Sequence, residues 1–155
     1  MFKSFKILLL TLMLLLIHSI CLAGISKDEI ALGGITPDMN TSSVVKIYGE
    51  PKYKEKKSDY WEIWRYGDSF DLIIYNNQVV CAISKANNGM NTPSGIGVGC
   101  RIDTVLQVYG KPDLIDSSGY SYYNEPNEMD FAIKNDKVTE IWISNVVLLH
   151  KLGVV

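Results

Sequence analysis

Apolar and polar positions follow two rhythms along this chain. Val44, Val45 and Tyr48 have the spacing of one helical face, and Val105, Leu106 and Tyr109 repeat it. Asn40 stands where it can cap the first helix by accepting a free backbone N–H. Arg101 stands at the matching point of the second, so that cap is weaker or moves to Cys100. Gly49 and Gly110 suit the left-handed position just past a helix, and Pro51 and Pro112 block continuation. After each helix the period becomes two. Phe70, Leu72 and Ile74 alternate with Asp71, Ile73 and Tyr75. The pattern predicts strands over residues 60–66, 70–75 and 79–84, then over 120–124, 129–134 and 138–144. Asn76-Asn77 and Asn135-Asp136 read as hairpin turns, because Asn and Asp tolerate positive φ.

The two stretches are similar to each other. Residues 35–51 align without a gap on residues 96–112 at an offset of 61, and five of the 17 positions are identical. Those five are Ile35/Ile96, Val44/Val105, Tyr48/Tyr109, Gly49/Gly110 and Pro51/Pro112, which are the helix-face and helix-stop positions. The pattern resumes at an offset of 59, where Phe70, Leu72 and Ile74 match Met129, Phe131 and Ile133. The expected fold is α+β: two tandem repeats, each a short helix followed by a three-stranded antiparallel meander, stacked around one core. Residues 24–85 form the first repeat, 86–94 a linker with Asn87-Asn88-Gly89 and Pro93, and 95–145 the second. Residues 146–155 are an apolar tail that either docks back onto the domain or meets a membrane or partner.

Residues 1–23 read differently. Lys3 and Lys6 precede an apolar run from Ile7 to Ile17 broken only by Thr11, and Cys21-Leu22-Ala23 offers small residues for cleavage before Gly24. This is the pattern of a signal peptide, so the protein is expected to be exported to a periplasmic or extracellular space. The alternatives are an uncleaved membrane anchor, or acylation of Cys21 within the poor lipobox His18-Ser19-Ile20. Removing the segment takes the composition to 13 Lys+Arg against 17 Asp+Glu, which disfavours a nucleic-acid partner. It leaves Cys81 and Cys100. In an exported protein they are either a disulfide closing a loop of about 20 residues, for roughly 3 kcal/mol, or two separate thiols.

The run Met39 to Pro51, its counterpart Cys100 to Pro112, the aromatic strands and the return Val138-Thr-Glu-Ile141 together resemble the β-lactamase inhibitor protein (BLIP)-like fold. The SmpA/OmlA outer-membrane assembly lipoproteins look like one copy of the same unit. The resemblance covers roughly residues 30 to 144. It implies helices on one side of a curved antiparallel sheet, with the other face free to clasp a protein partner. The chain departs from these families in having one cysteine per repeat region and no clear lipobox.

Candidate chemistry is sparse. Beyond residue 23 the single histidine is His150, near the C-terminus, so neither a nucleophile–His hydrolase nor a zinc-ligand cluster is expected. Gly95-Ile-Gly97-Val-Gly99 lacks the spacing of a phosphate loop and reads as a turn. Lys52, Lys54, Lys56 and Lys57 read as a solvated connector, and Glu125, Glu128 and Asp130 as a solvated acidic turn. The aromatics carry more information. By alternation Tyr60, Trp64 and Tyr66 share one face, opposite Trp61 and Ile63, and Tyr120 and Tyr122 oppose Tyr123. Tyr60, Trp64, Tyr66, Tyr75, Tyr120 and Tyr122 are the candidate partner contacts, since aromatics are common interface anchors. The expectation is a non-enzymatic, cofactor-free interaction module of the cell envelope that binds a protein partner on its open sheet face. Membrane contact is limited to the signal or the tail. The alternative is a periplasmic or extracellular binder of a small ligand or cell-wall fragment.

Overall fold

The computed structural model describes residues 24–154; the segment read as an export signal, 1–23, lies outside them. A single 3-10 turn at Lys27–Glu29 precedes α1 (Thr41–Tyr48). Four strands follow: β1 (Tyr53–Lys56), β2 (Trp61–Arg65), β3 (Phe70–Tyr75) and β4 (Gln78–Ser84). Then come α2 (Ile102–Tyr109), β5 (Leu114–Ile115), β6 (Gly119–Asn124), β7 (Asn127–Lys134), β8 (Lys137–Asn145) and α3 (Val146–Leu152). The strands form one antiparallel sheet in the order β1-β2-β3-β4-β8-β7-β6-β5. Its seam is the β4–β8 pair, with Ala82 opposite Ile143 and Ser84 opposite Ile141.

Local chemistry accounts for the elements. Asn40 Oδ1 accepts the Ser42 N–H at 2.9 Å and caps α1, whereas Arg101 gives α2 no side-chain cap. Gly49 and Gly110 both have positive φ but extended ψ, a region open to glycine rather than the left-handed helical one expected. Asn76-Asn77 and Asn135-Asp136 have positive φ throughout, as two-residue hairpin turns require.

Three expectations need correction. α1 and α2 are each followed by four strands, not three. β1 reads Tyr-Lys-Glu-Lys and carries no apolar alternation because it is a sheet edge, where charge discourages further pairing. The run read as a connector is therefore in part a strand, and β5, at the other edge, is only two residues long. The two expected helices do share one side, and a third, formed in the expected apolar tail, does not. α1 and α2 cover one face, over a core that runs from Val44, Trp64 and Leu72 through Ile143 and Met129 to Val105. α3 lies on the opposite face, where Leu149 packs with Ile73, Val80, Cys81 and Ile83. Finally, residues 86–94 are more than a linker. Thr92 is buried, and the Gly33 N–H donates to the Asn91 carbonyl at 2.9 Å. This ties the connection to the first residues of the domain, whose Ile30, Leu32 and Ile35 are also core.

Candidate functional site

Strand register decides which side chains share a surface. Opposite α1 and α2, the outer face divides in two. Over β2, β3 and β4 it carries Trp61, Tyr75, Ile73 and Cys81, and α3 covers it with Leu148, Leu149 and Leu152. Over β6, β7 and β8, two rows run across the sheet: Ser121, Asp130 and Trp142, then Tyr123, Glu128 and Ser144. Trp142 sits where the two halves meet and packs partly against the α3 cluster.

The second half is acidic and aromatic. Trp142 Nε1 donates to Glu140 Oε2 at 3.0 Å, and the Ser144 hydroxyl donates to Glu128 Oε1 at 3.0 Å. Glu128, Asp130, Glu140, Asp113 and Asp116 take part in none of the ion pairs among the described residues. Burial, with Glu128 and Asp116 adding repulsion against a bond from Ser121, pushes the Asp130 carboxyl up to about 6. Burial likewise raises the Tyr123 hydroxyl. Gly119, Ser121, Asp130 and Trp142 line a hollow of about 290 Å³. A Cβ on Gly119 would overlap the Phe131 carbonyl oxygen, so only glycine lets β6 approach β7 this closely. No group of three or more His, Cys, Asp or Glu among the described residues could hold a metal ion.

The six aromatics singled out from the sequence are not brought together. Trp64, Tyr66, Tyr120 and Tyr122 belong to or pack against the core under α1 and α2. Trp64 and Tyr122 are buried there at 5% and 2% exposure, which removes them as direct contacts. Tyr60 lies just before β2 and is exposed, and Tyr75 faces α3, with Lys151 Nζ 5.3 Å from its ring centroid. Alternation had separated the faces correctly; what it could not say was which face the helices take. Glu128 and Asp130 are not on a turn, as expected, but on β7, two residues apart and so on one face. Their i, i+2 spacing, with Trp142 two residues after Glu140, was the signal available in the sequence. The cysteines also differ from the bridged alternative. Both are free, with Cys81 buried in the outer-face cluster and Cys100 against the core on the other side of the sheet.

No family model and no curated protein matches the chain. Solved structures do. A cysteine-rich secretory protein from Staphylococcus aureus subsp. aureus Mu50 matches with a TM-score of 0.61 at 9% identity, over 76% of this chain and 47% of that one. An extracellular protein containing an SCP domain from Bacillus anthracis str. Ames matches with a TM-score of 0.49 at 12% identity, over 74% and 45%. A DUF4309 family protein from Bacillus subtilis subsp. subtilis str. 168 gives 0.44 at 13%, over 72% and 82%. The chain spans about half the length of the first two. At this identity the staphylococcal match establishes a shared fold and nothing about activity. It corrects the expected kinship with BLIP and the SmpA/OmlA lipoproteins. The quoted run encodes a short helix ended by Gly and Pro, a local device that does not specify one architecture.

Proposed function

We propose that this protein is an exported, non-enzymatic binding module that receives a basic segment of a partner protein on the outer face over β6, β7 and β8. The observation that carries this reading is the group of unpaired carboxylates, Asp130 and Glu128 foremost, beside Tyr123 and Trp142 on the outer face, where α3 reaches only as far as β8. A lysine or arginine entering the hollow meets the Asp130 carboxylate and the Trp142 ring together, which combines charge pairing with a cation–π contact. An acidic surface also speeds the approach of a basic partner and discriminates against acidic ones. The predicted signal at residues 1–23 supports export, and the secretory description of the staphylococcal structural neighbour agrees with it.

The two halves of the domain are, on this reading, copies of one helix-plus-four-strand unit. In each, a helix ends at a positive-φ glycine and four antiparallel strands follow. α3 breaks the equivalence by covering the outer face of the first half as far as β8, which leaves β6, β7 and the far side of β8 for binding.

Chemical-shift mapping with an oligo-arginine peptide tests the site. Perturbations should gather on β6, β7 and β8 around Trp142 and Tyr123, and an oligo-glutamate peptide should cause none. Perturbations confined to β1 and β2 would contradict the assignment.

A further inference from the structure

The outer face over β7 and β8 changes sign along its length. Beyond the row of Ala132 and Glu140, the hairpin closes on Lys134 and Lys137, which lie directly opposite each other. Ile133 and Val138, the pair before them, belong to or pack against the core under α1 and α2, so alternation turns both lysines to the outer face. Both are exposed, and neither takes part in an ion pair among the described residues. The nearby charges are engaged elsewhere. Lys85 Nζ donates to Asp71 Oδ2 at 2.8 Å, Arg101 pairs with Asp103 at 2.9 Å, and Glu140 Oε2 accepts from Trp142 Nε1. Asp136, in the turn between the lysines, has Arg101 within electrostatic reach. The lysine pair borders an open hollow of about 550 Å³, with Lys85 and Thr139.

Like charges directly opposite on a sheet repel, and an anion between them removes that cost. The hairpin does not need the pair. At the matching positions of the first half, Tyr75 faces Gln78 across a turn of the same positive-φ kind. There the covering helix α3 brings a cation to the face, with Lys151 Nζ 5.3 Å from the Tyr75 ring centroid. The second half has lysines at that place, so its complement is an anion. We infer that the partner segment received on the outer face carries an acidic side chain as well as a basic one, four residues apart. Its cation lies at Asp130 and Trp142, and its carboxylate at Lys134 and Lys137. Lys134 stands four residues beyond Asp130 on the same face of β7, roughly 13 Å along the strand. An extended segment lying along β7 spans that distance with residues i and i+4, which project to one side. Beside Glu128, Asp130 and Glu140 the lysine pair holds no purely acidic chain, so the carboxylate binds only with the cation in place. This inference rests on the outer-face reading and adds a second sign and a spacing to it.

The test is an NMR titration of the purified protein with three peptides: acetyl-Arg-Gly-Ser-Gly-Glu-amide, its Gln analogue, and acetyl-Arg-Glu-Gly-Ser-Gly-amide. The first should bind about threefold more tightly than the other two, as one exposed ion-pair contact implies, and it alone should shift the Lys134 and Lys137 amides. A double variant, Lys134→Gln with Lys137→Gln, should lose that preference and still bind the Gln analogue. Equal affinity for the three peptides, with shifts around Trp142 in each case, would overturn this inference and leave the outer-face reading standing. A preference that persists in the double variant would do the same. Binding of none of the three would overturn both.

Discussion

The Tyr122 hydroxyl donates to the carbonyl oxygen of Gly110 at 3.0 Å and so fastens β6 to the end of α2. Tyr66 makes the same bond to Gly49 at the end of α1, also at 3.0 Å. Each tyrosine completes an aromatic trio, Tyr48–Tyr66–Phe70 and Tyr109–Tyr122–Phe131, with ring centroids 5.6 to 6.0 Å apart. The trios join helix to sheet, so these aromatics hold the fold together and are not free to meet a partner. Tyr66→Phe and Tyr122→Phe should each lower stability by about 1 kcal/mol in urea unfolding, the net value of one hydrogen bond. Burial pushes both hydroxyls up to about 12. Their raised pKa means the contribution is complete below about pH 10 and is lost as pH rises through 12, which an ultraviolet titration of the two variants against wild type will register.

Leu149 seals Cys81 beneath α3. Cys81 is fully buried, and burial, with Asp130 and Glu128 adding to it, raises its thiol well above the ordinary range. A thiol reagent should therefore leave Cys81 unmodified in the native protein and modify it after denaturation. Leu149→Ala should lower stability by about 2 kcal/mol, the low end for a buried leucine because α3 is short and peripheral, and should make Cys81 react without denaturant.

Asp130 should make stability depend on pH in an unusual direction. Its folded pKa, about 6, lies above the ordinary 3.8, so the folded state holds this proton more firmly than the unfolded chain. The stability it contributes is complete below about pH 4 and is lost as pH rises through 6; the difference is about 2–3 kcal/mol. The exposed carboxylates Glu55 and Asp116 are shifted down by their bonds to Lys57 and Ser118 and act in the opposite sense. Comparing Asp130→Asn with wild type at pH 4.5 and 7.5 isolates the single group. The variant should gain relative stability at the higher pH and lose that gain at the lower.

Gly119→Ala should be the most damaging single methyl addition on the outer face. The new Cβ would overlap backbone, the Phe131 carbonyl oxygen, which cannot turn aside as a flexible side chain can. Thermal unfolding should show a loss above 1 kcal/mol.

Much of the fold was legible because it is local. Asn40, Gly49, Gly110 and the paired turn residues act within a few positions of themselves, so helices, hairpins and the alternation of faces could be read along the chain. β1 and β5 were not legible, since an edge strand of lysines and a strand of two residues show no apolar period. The site was harder. Whether Trp64 or Trp61 faces outward depends on where α1 and α2 settle, which is a property of the whole core. The pairing of Asp130 with Trp142 depends on the register of β7 against β8, set partly by the irregularity between Ala132 and Ile133. Neither is written in any single stretch of sequence.

The measurement that bears most directly on the proposed role is calorimetric titration of an oligo-arginine peptide into wild type, Asp130→Asn and Trp142→Ala at pH 7.5, repeated for wild type at pH 5. Wild type should bind at the higher pH. Each substitution should weaken binding by about tenfold or more, and so should protonation of Asp130 at the lower pH. Equal affinity across the three proteins and the two pH values would contradict the assignment of the outer face as the binding surface.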